Sequence, residues 1–289
     1  MPTLSREEMA EKYGYTLAFM NAYPEIGQLI EKAVKGDWTA DKFQAQLRNT
    51  NWWKSTSDQS RKMAALWTSD PAEWAQLWNN TQHHVMNLLA AQGGDAGNWD
   101  TINALSSKII WESWDDERIR TEIGSNVVFG SGGFAGGKAG EVQQELNSYA
   151  YSMGVRNADW WTQSAVRQIM AGSQTIETYK GQMRDQAMAA FPGLSEQIKA
   201  GQTVQDLAQP YMQSMSQVLE IAPGQVNLFD PTIRNALSFK DKSGVATSKP
   251  LWQFQNDLRQ DDRWRKTQNA QDSVMGAAHN ILQQFGIYS

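Results

Sequence analysis

Apolar residues recur along this chain at the spacing of an α-helix, and that period restricts the fold more than any other feature. Ile26, Leu29, Ile30, Ala33 and Val34 fall at i, i+3, i+4, i+7 and i+8, one stripe along a helix. Trp74, Leu77, Trp78, Thr81, Val85, Leu88 and Leu89 form a longer stripe, and Val204, Leu207, Tyr211 and Val218 form another. Val274, Ala278, Ile281, Leu282 and Phe285 mark a last amphipathic helix. Start signals accompany the stripes. Ser5 with Glu8 reads as a capping box, as does Asp70 with Pro71 at the first helical position and Glu73 at the third. Asp230-Pro231 repeats the arrangement of a capping Asp followed by a first-turn Pro. The one strand candidate is the short run from Asn126 to Phe129. The pattern predicts an all-α protein, a helical bundle built from helix-turn-helix hairpins.

Glycine and proline divide that pattern. Gly93-Gly94 ends the long helix, and the stretch from Gly130 to Gly140 splits the chain near its middle. The expected organisation is an N-terminal helical domain over 1–128, a Gly-rich hinge over 129–140 and a C-terminal helical domain over 141–289. The polar run 241–250, with Gly244 and Pro250, is expected to be an exposed loop of the second domain.

The two halves echo each other. Phe43, Gln44, Leu47, Arg48, Trp53, Lys54 and Thr56 line up with Phe254, Gln255, Leu258, Arg259, Trp264, Arg265 and Thr267. Gly36, Thr39, Phe43, Leu47 and Arg48 also line up with Gly172, Thr175, Tyr179, Met183 and Arg184, and a fainter copy begins at Gly201, Thr203 and Leu207. The unit is a helix ended by Gly, then a Thr cap opening a helix whose aromatic and aliphatic anchors lie four apart on one face. Such a hairpin cannot bury its apolar face alone, so the repeat reads as a packing unit. Phe43, Tyr179 and Phe254 are expected to be buried with Leu47, Met183 and Leu258. Arg48, Arg184 and Arg259 each follow the second anchor and are expected to aim at carboxylates or helix-terminal carbonyls.

Composition narrows the chemistry. A net charge of −5 argues against a dedicated nucleic-acid binder, and zero cysteines remove disulfides and thiolate chemistry. The opening residues lack an apolar core, so neither a signal peptide nor a membrane span is expected. Gly132 to Lys138 satisfies G-x-x-x-x-G-K, the spacing of a phosphate-binding loop, but Ala139 stands where a hydroxyl would hold Mg²⁺. Adjacent His83 and His84 point about 100° apart on a helix, and His279 is remote in sequence, so no zinc pair forms. Trp111, Glu112, Trp114 and Asp115 place carboxylates beside tryptophans, the material of a sugar-cleaving site or of an ordinary acidic helix end. No catalytic residue, metal or cofactor is assigned.

Thirteen tryptophans include two adjacent pairs. Neighbours on a helix do not both face one core, so Trp52-Trp53 and Trp160-Trp161 each place one ring at an edge. With Lys54 and Arg48 as rim charges, the segments Trp52, Trp53, Lys54 and Trp160, Trp161 are candidate interfaces.

The runs Tyr15 to Met20, Phe43 to Lys54, Tyr211 to Met215, Phe229 to Leu237 and Pro250 to Phe254 through Asn269 to Ala278 carry a resemblance. Together they resemble a module of virion structural proteins of tailed phages infecting actinobacteria, over about residues 13 to 287. The resemblance implies a helical, non-enzymatic virion component of the tail, connector or interior, made in the host cytoplasm. It would act by self-association and by contact with other virion subunits. Because the module sometimes accompanies wall-degrading domains, the alternative it implies is a peptidoglycan-binding or wall-degrading accessory module.

Overall fold

Seventeen α-helices and one two-stranded sheet make up residues 4–284, which the computed structural model describes. The protein is all-α. Two units divide it: the chain as far as Gly140 with Met170–Ser173, and Glu141–Ile169 with the chain from Gln174 onward. Among the described residues no helix is long and apolar enough to cross a membrane.

The first unit holds α1 (Arg6–Lys12), α2 (Leu17–Ala22), α3 (Pro24–Lys35), α4 (Ala40–Leu47), α5 (Asn51–Ser55), α6 (Asp58–Ser69), α7 (Pro71–Gln92), α8 (Trp99–Glu112) and α9 (Asp116–Ser125). All but α3 open on a Ser, Thr, Asp or Asn whose side chain accepts the backbone N–H three residues ahead. Each such cap is worth about 1 kcal/mol because a helix start otherwise leaves its N–H groups unpaired. The reciprocal box at Ser5 and Glu8 is complete. At Asp70 only the forward half forms, because the Asp70 N–H already donates to Leu66 O at the end of α6. Phe19, Met20, Ile26, Ile30, Phe43 and Leu47 form one core, and Val85, Leu89, Ile102, Leu105, Ile119 and Ile123 a second.

One expectation for this unit changes. Asn126 to Phe129 is not a strand; Phe129 makes a lone bridge to Ala135, closing a small glycine-rich turn. The 129–140 stretch, expected as a hinge, also makes a backbone contact within this unit. Its backbone packs onto the C-terminal end of α7, where a Cβ at Gly137 would lie 2.5 Å from Ala91 O and one at Gly93 2.5 Å from Gly136 O. Here the glycines serve backbone contact, with Gly93 at φ +92° and Gly137 at +51°.

From Gly137 the chain enters α10 (Gly137–Ser152), followed by α11 (Asp159–Met170), α12 (Ile176–Ala190), α13 (Ser195–Lys199), α14 (Val204–Leu219) and α15 (Pro231–Leu237). A hairpin of β1 (Phe239–Lys240) and β2 (Ala246–Thr247) precedes α16 (Leu251–Gln260) and α17 (Gln268–Gln284). Within the expected loop 241–250 only Ala246–Thr247 is strand. Phe239 pairs with Thr247 and Lys240 with Ala246, and Asp241 Oδ1 accepts from Ser243 and Val245 N–H to close the turn. Tyr211 Oη donates to Lys249 O at 2.5 Å, holding the returning strand to α14. Met153, Phe191, Val204, Met215, Leu237 and Phe254 belong to the core of the second unit.

The repeat is physical, but its register differs from the alignment. All six anchors are buried: Phe43 and Leu47, Tyr179 and Met183, Phe254 and Leu258. Thr39, Thr175 and Thr203 cap the helices that follow them. In the first copy Asp37, at φ +43°, takes the left-handed position rather than Gly36. The helix starts match at Thr50 and Thr267, not at Thr56 and Thr267. Thr50 Oγ1 donates to Leu47 O at 2.6 Å and accepts from Trp53 N–H, while Thr267 Oγ1 donates to Trp264 O at 2.6 Å and accepts from Ala270 N–H. A carboxylate completes both. Glu25 accepts from Asn51 and Trp52 N–H, each at 2.9 Å, and Glu220 accepts from Gln268 at 2.7 Å and Asn269 at 2.8 Å. A carboxylate astride a helix start pairs two exposed donors and opposes the positive end of the dipole.

The arginines depart from expectation. Arg48, Arg184 and Arg259 are all exposed; Arg48 and Arg184 reach no carboxylate among the described residues, and Arg259 meets only Asn256 Oδ1 at 3.3 Å. One position past the second anchor turns a side chain away from the stripe, so solvent takes the guanidinium. Arg263 holds the network instead, bonding Asp230 Oδ2 at 2.8 Å, both Asp261 oxygens and Thr232 Oγ1. These hydrogen bonds, the Arg263 side chain first, hold the Asp261 carboxyl below its usual range.

Phe254→Ala is expected to destabilise the second unit by roughly 3–5 kcal/mol in urea unfolding, and Arg184→Ala to change it by no more than about 0.5 kcal/mol. Because the Asp261 value is lowered on folding, its contribution is complete above the ordinary aspartate range and is lost as pH falls through the folded value. Stability measured against pH should therefore fall off in acid, and Asp261→Asn should flatten that limb.

Candidate functional site

The opening repeat segment lines a cleft of about 580 Å³ in the first unit. Tyr13 and Tyr15, at the end of α1 and beyond it, meet Phe43 of α4 with ring centroids at 4.5 and 6.2 Å. Trp38 and Trp53 extend the lining, and Lys12 and Arg48 carry charge there. Tyr13 Oη donates to Trp38 O at 3.1 Å, tying α1 to the turn before α4. Lys42 Nζ lies 4.9 Å over the Trp38 ring. Burial pushes the Tyr15 phenol up, so it stays neutral and acts as an aromatic wall. A cleft of aromatic faces with cations in its lining suits a large side chain or short segment of a partner.

The tryptophan pairs behave differently from one another. Trp52 and Trp53 are both half-buried against the same core, because α5 is a single short turn that crosses the cluster edge-on. Trp52 meets Phe19 at 5.6 Å and Tyr23 at 5.4 Å. Arg61 covers Trp53 at 4.0 Å and donates to its carbonyl at 2.9 Å, while Lys54 is exposed. In the second unit Trp161 packs edge-on against Tyr179 at 5.3 Å, and Trp160 is 72% exposed. Trp264, aligned with Trp53 in sequence but preceding its Thr cap where Trp53 follows one, is partly buried against its own core.

Other sequence candidates are absorbed locally. Asp115 caps α9, Trp111 packs on Trp74 at 5.3 Å, and Trp114 lies between Lys108 at 4.3 Å and Arg118 at 4.2 Å. His84 pairs with Asp116 at 2.7 Å, and among the described residues no three His, Asp or Glu side chains gather at metal-ligand spacing. At the start of the glycine-rich run the Gly130 N–H donates to Phe134 O at 2.9 Å, closing a tight turn ahead of α10. The cations over Trp38, Trp53 and Trp114 escaped sequence reading, since each partner is set by packing.

One surface was visible only as a pattern. The apolar side of α17 contacts no core beyond Ala270: Val274 is 67% exposed, Met275 70% and Ile281 53%. Phe285, expected to continue that stripe, lies outside the described residues. Comparison of the chain with protein-family models, curated proteins and solved structures finds no match.

Removing the Arg61 side chain strips one face of Trp53 and leaves its carbonyl without that donor. Arg61→Ala is expected to cost the first unit roughly 1–3 kcal/mol, with a red shift of tryptophan emission, whereas Lys54→Ala stays within about 0.5 kcal/mol.

Proposed function

We propose that this chain is a non-enzymatic structural component of a tailed-phage virion, working by assembly with copies of itself and with other virion subunits. The reading starts from the sequence resemblance, and the observation that carries it is α17. A soluble helix normally turns its apolar stripe to its own core. Here Val274, Ala278 and Ile281 follow the alternating four-and-three spacing of a coiled-coil seam, flanked by Met275 and Leu282, and all five side chains face solvent.

The occupant that fits this seam is a second copy of the same helix. From Gln268 to Gln284 the only formal charge is Asp272, with no Lys or Arg, so two copies meet without a ladder of like charges. A seam of this spacing is self-complementary, and from Val274 to Leu282 it runs about 12 Å along a 17-residue helix. The exposed Trp160 and the aromatic cleft of the first unit are surfaces for other subunits. The expected location is the virion, after synthesis in the host cytoplasm.

Light scattering of the purified full chain should give a mass above one chain. Ile281→Asp, which touches no core residue, should return the monomer with an unchanged circular dichroism spectrum. A monomeric wild-type chain at high micromolar concentration rejects the self-assembly step. Absence of the polypeptide from purified particles of the source, by mass spectrometry, rejects the virion assignment.

A further inference from the structure

The second unit contains a cleft of about 350 Å³ whose polar side chains, Arg156, Arg234 and Gln186, can all donate and include no carboxylate. Both arginines lie against the Phe229 ring. The Arg156 guanidinium stands 4.2 Å from its ring centroid and that of Arg234 5.8 Å. Arg234 also lies 4.9 Å over Phe191 and donates one N–H to Gly154 O at 2.9 Å. Stacking of this kind fixes the plane of a guanidinium while leaving its N–H edges for a ligand.

Neither arginine has a carboxylate partner among the described residues, although the chain as a whole is acidic at −5. The acid nearest Arg234 in sequence, Asp230, is committed elsewhere: it caps α15 through Thr232 N–H and accepts from Arg263 at 2.8 Å. Arg263, bonded to two aspartates and a threonine, shows how this unit satisfies a guanidinium that it uses for structure. Arg156 and Arg234 are instead two permanent positive charges over one ring, with donor capacity unspent. Two like charges held against one ring repel, and an oxyanion that reaches both offsets that repulsion while accepting bonds from the guanidinium edges. Cleft size matches the small end of small-molecule sites.

We propose that this cleft binds a small organic oxyanion, a phosphate monoester or a carboxylate attached to a flat apolar group, with Arg156 and Arg234 gripping the anion and Phe229 supporting the apolar part. The site is separate from the assembly surface on α17.

The test is calorimetric titration of the full chain with phenyl phosphate and with benzoate, using benzyl alcohol as the uncharged control. Saturable binding of one or both anions, weakening as salt rises, is expected; whichever binds more tightly identifies the anion. Arg156 is exposed and makes no hydrogen bond among the described residues, so Arg156→Ala should fold normally and lose at least about tenfold in affinity, with Arg156→Lys intermediate. Gln186→Ala, also on the surface, should weaken binding while keeping the fold. The proposal is overturned if neither anion binds saturably at millimolar concentration, if benzyl alcohol binds equally well, or if the folded Arg156→Ala chain binds as tightly as wild type.

Discussion

Short helices do not hold together in water: below about twelve residues the initial turn costs more order than the few following hydrogen bonds return. Many helices here are of that kind, including α2 with six residues, α5 with five and α13 with five. Tertiary support differs among them: α2 has the Thr16 cap with Phe19 and Met20 buried, α5 has the Thr50 cap with Trp52 and Trp53 half-buried, and α13 has no side-chain cap and relies on Ile198 sunk into the core. Where the local cap is joined by a carboxylate from a remote segment, as Glu25 does for α5 and Glu220 for α17, the helix start becomes a tertiary joint. Thr50 and Thr267 complete these joints by serving as donor and acceptor at once.

That constraint explains where charged groups are structural and where they are spare. Arg263 and Arg61 are tied to backbone or carboxylate oxygens beside aromatic packing, and they belong to the scaffold. Arg48 and Arg184 lie just past buried anchors and reach solvent. Arg156 and Arg234 form a third class, ordered by stacking on Phe229 yet without a carboxylate. Ordering a cation without neutralising it leaves a local field, and fields of that sort recruit ligands.

Much of the helical pattern was legible because its causes are local. The Ser5 box, the Asp-Pro starts at Asp70 and Asp230, and the Thr caps at 39, 175 and 203 depend only on neighbours within one turn. The aromatic anchors Phe43, Tyr179 and Phe254 were legible for a similar reason, since four-residue spacing puts each on the same face as its partner. Less was legible at the clefts. Tyr13, Tyr15 and Trp38 join Phe43 through packing between separate helices, and nothing in their individual spacing marks them as one wall.

The amino-acid sequence by itself therefore determined helix class, most helix starts and the side of each helix that is apolar, because period and capping act over a few residues. Only the tertiary structure decided what each face meets. It turned the glycine-rich stretch into a backbone contact with the end of α7, converted part of an expected loop into a hairpin, and shifted the repeat match to Thr50 and Thr267. It also left the apolar seam of α17 uncovered, although its sequence has the same amphipathic character as buried helices. The physical reason is the same throughout. Burial is a property of the whole packed surface, and a stripe of apolar residues specifies that something should cover it without specifying whether the cover is the same chain or another.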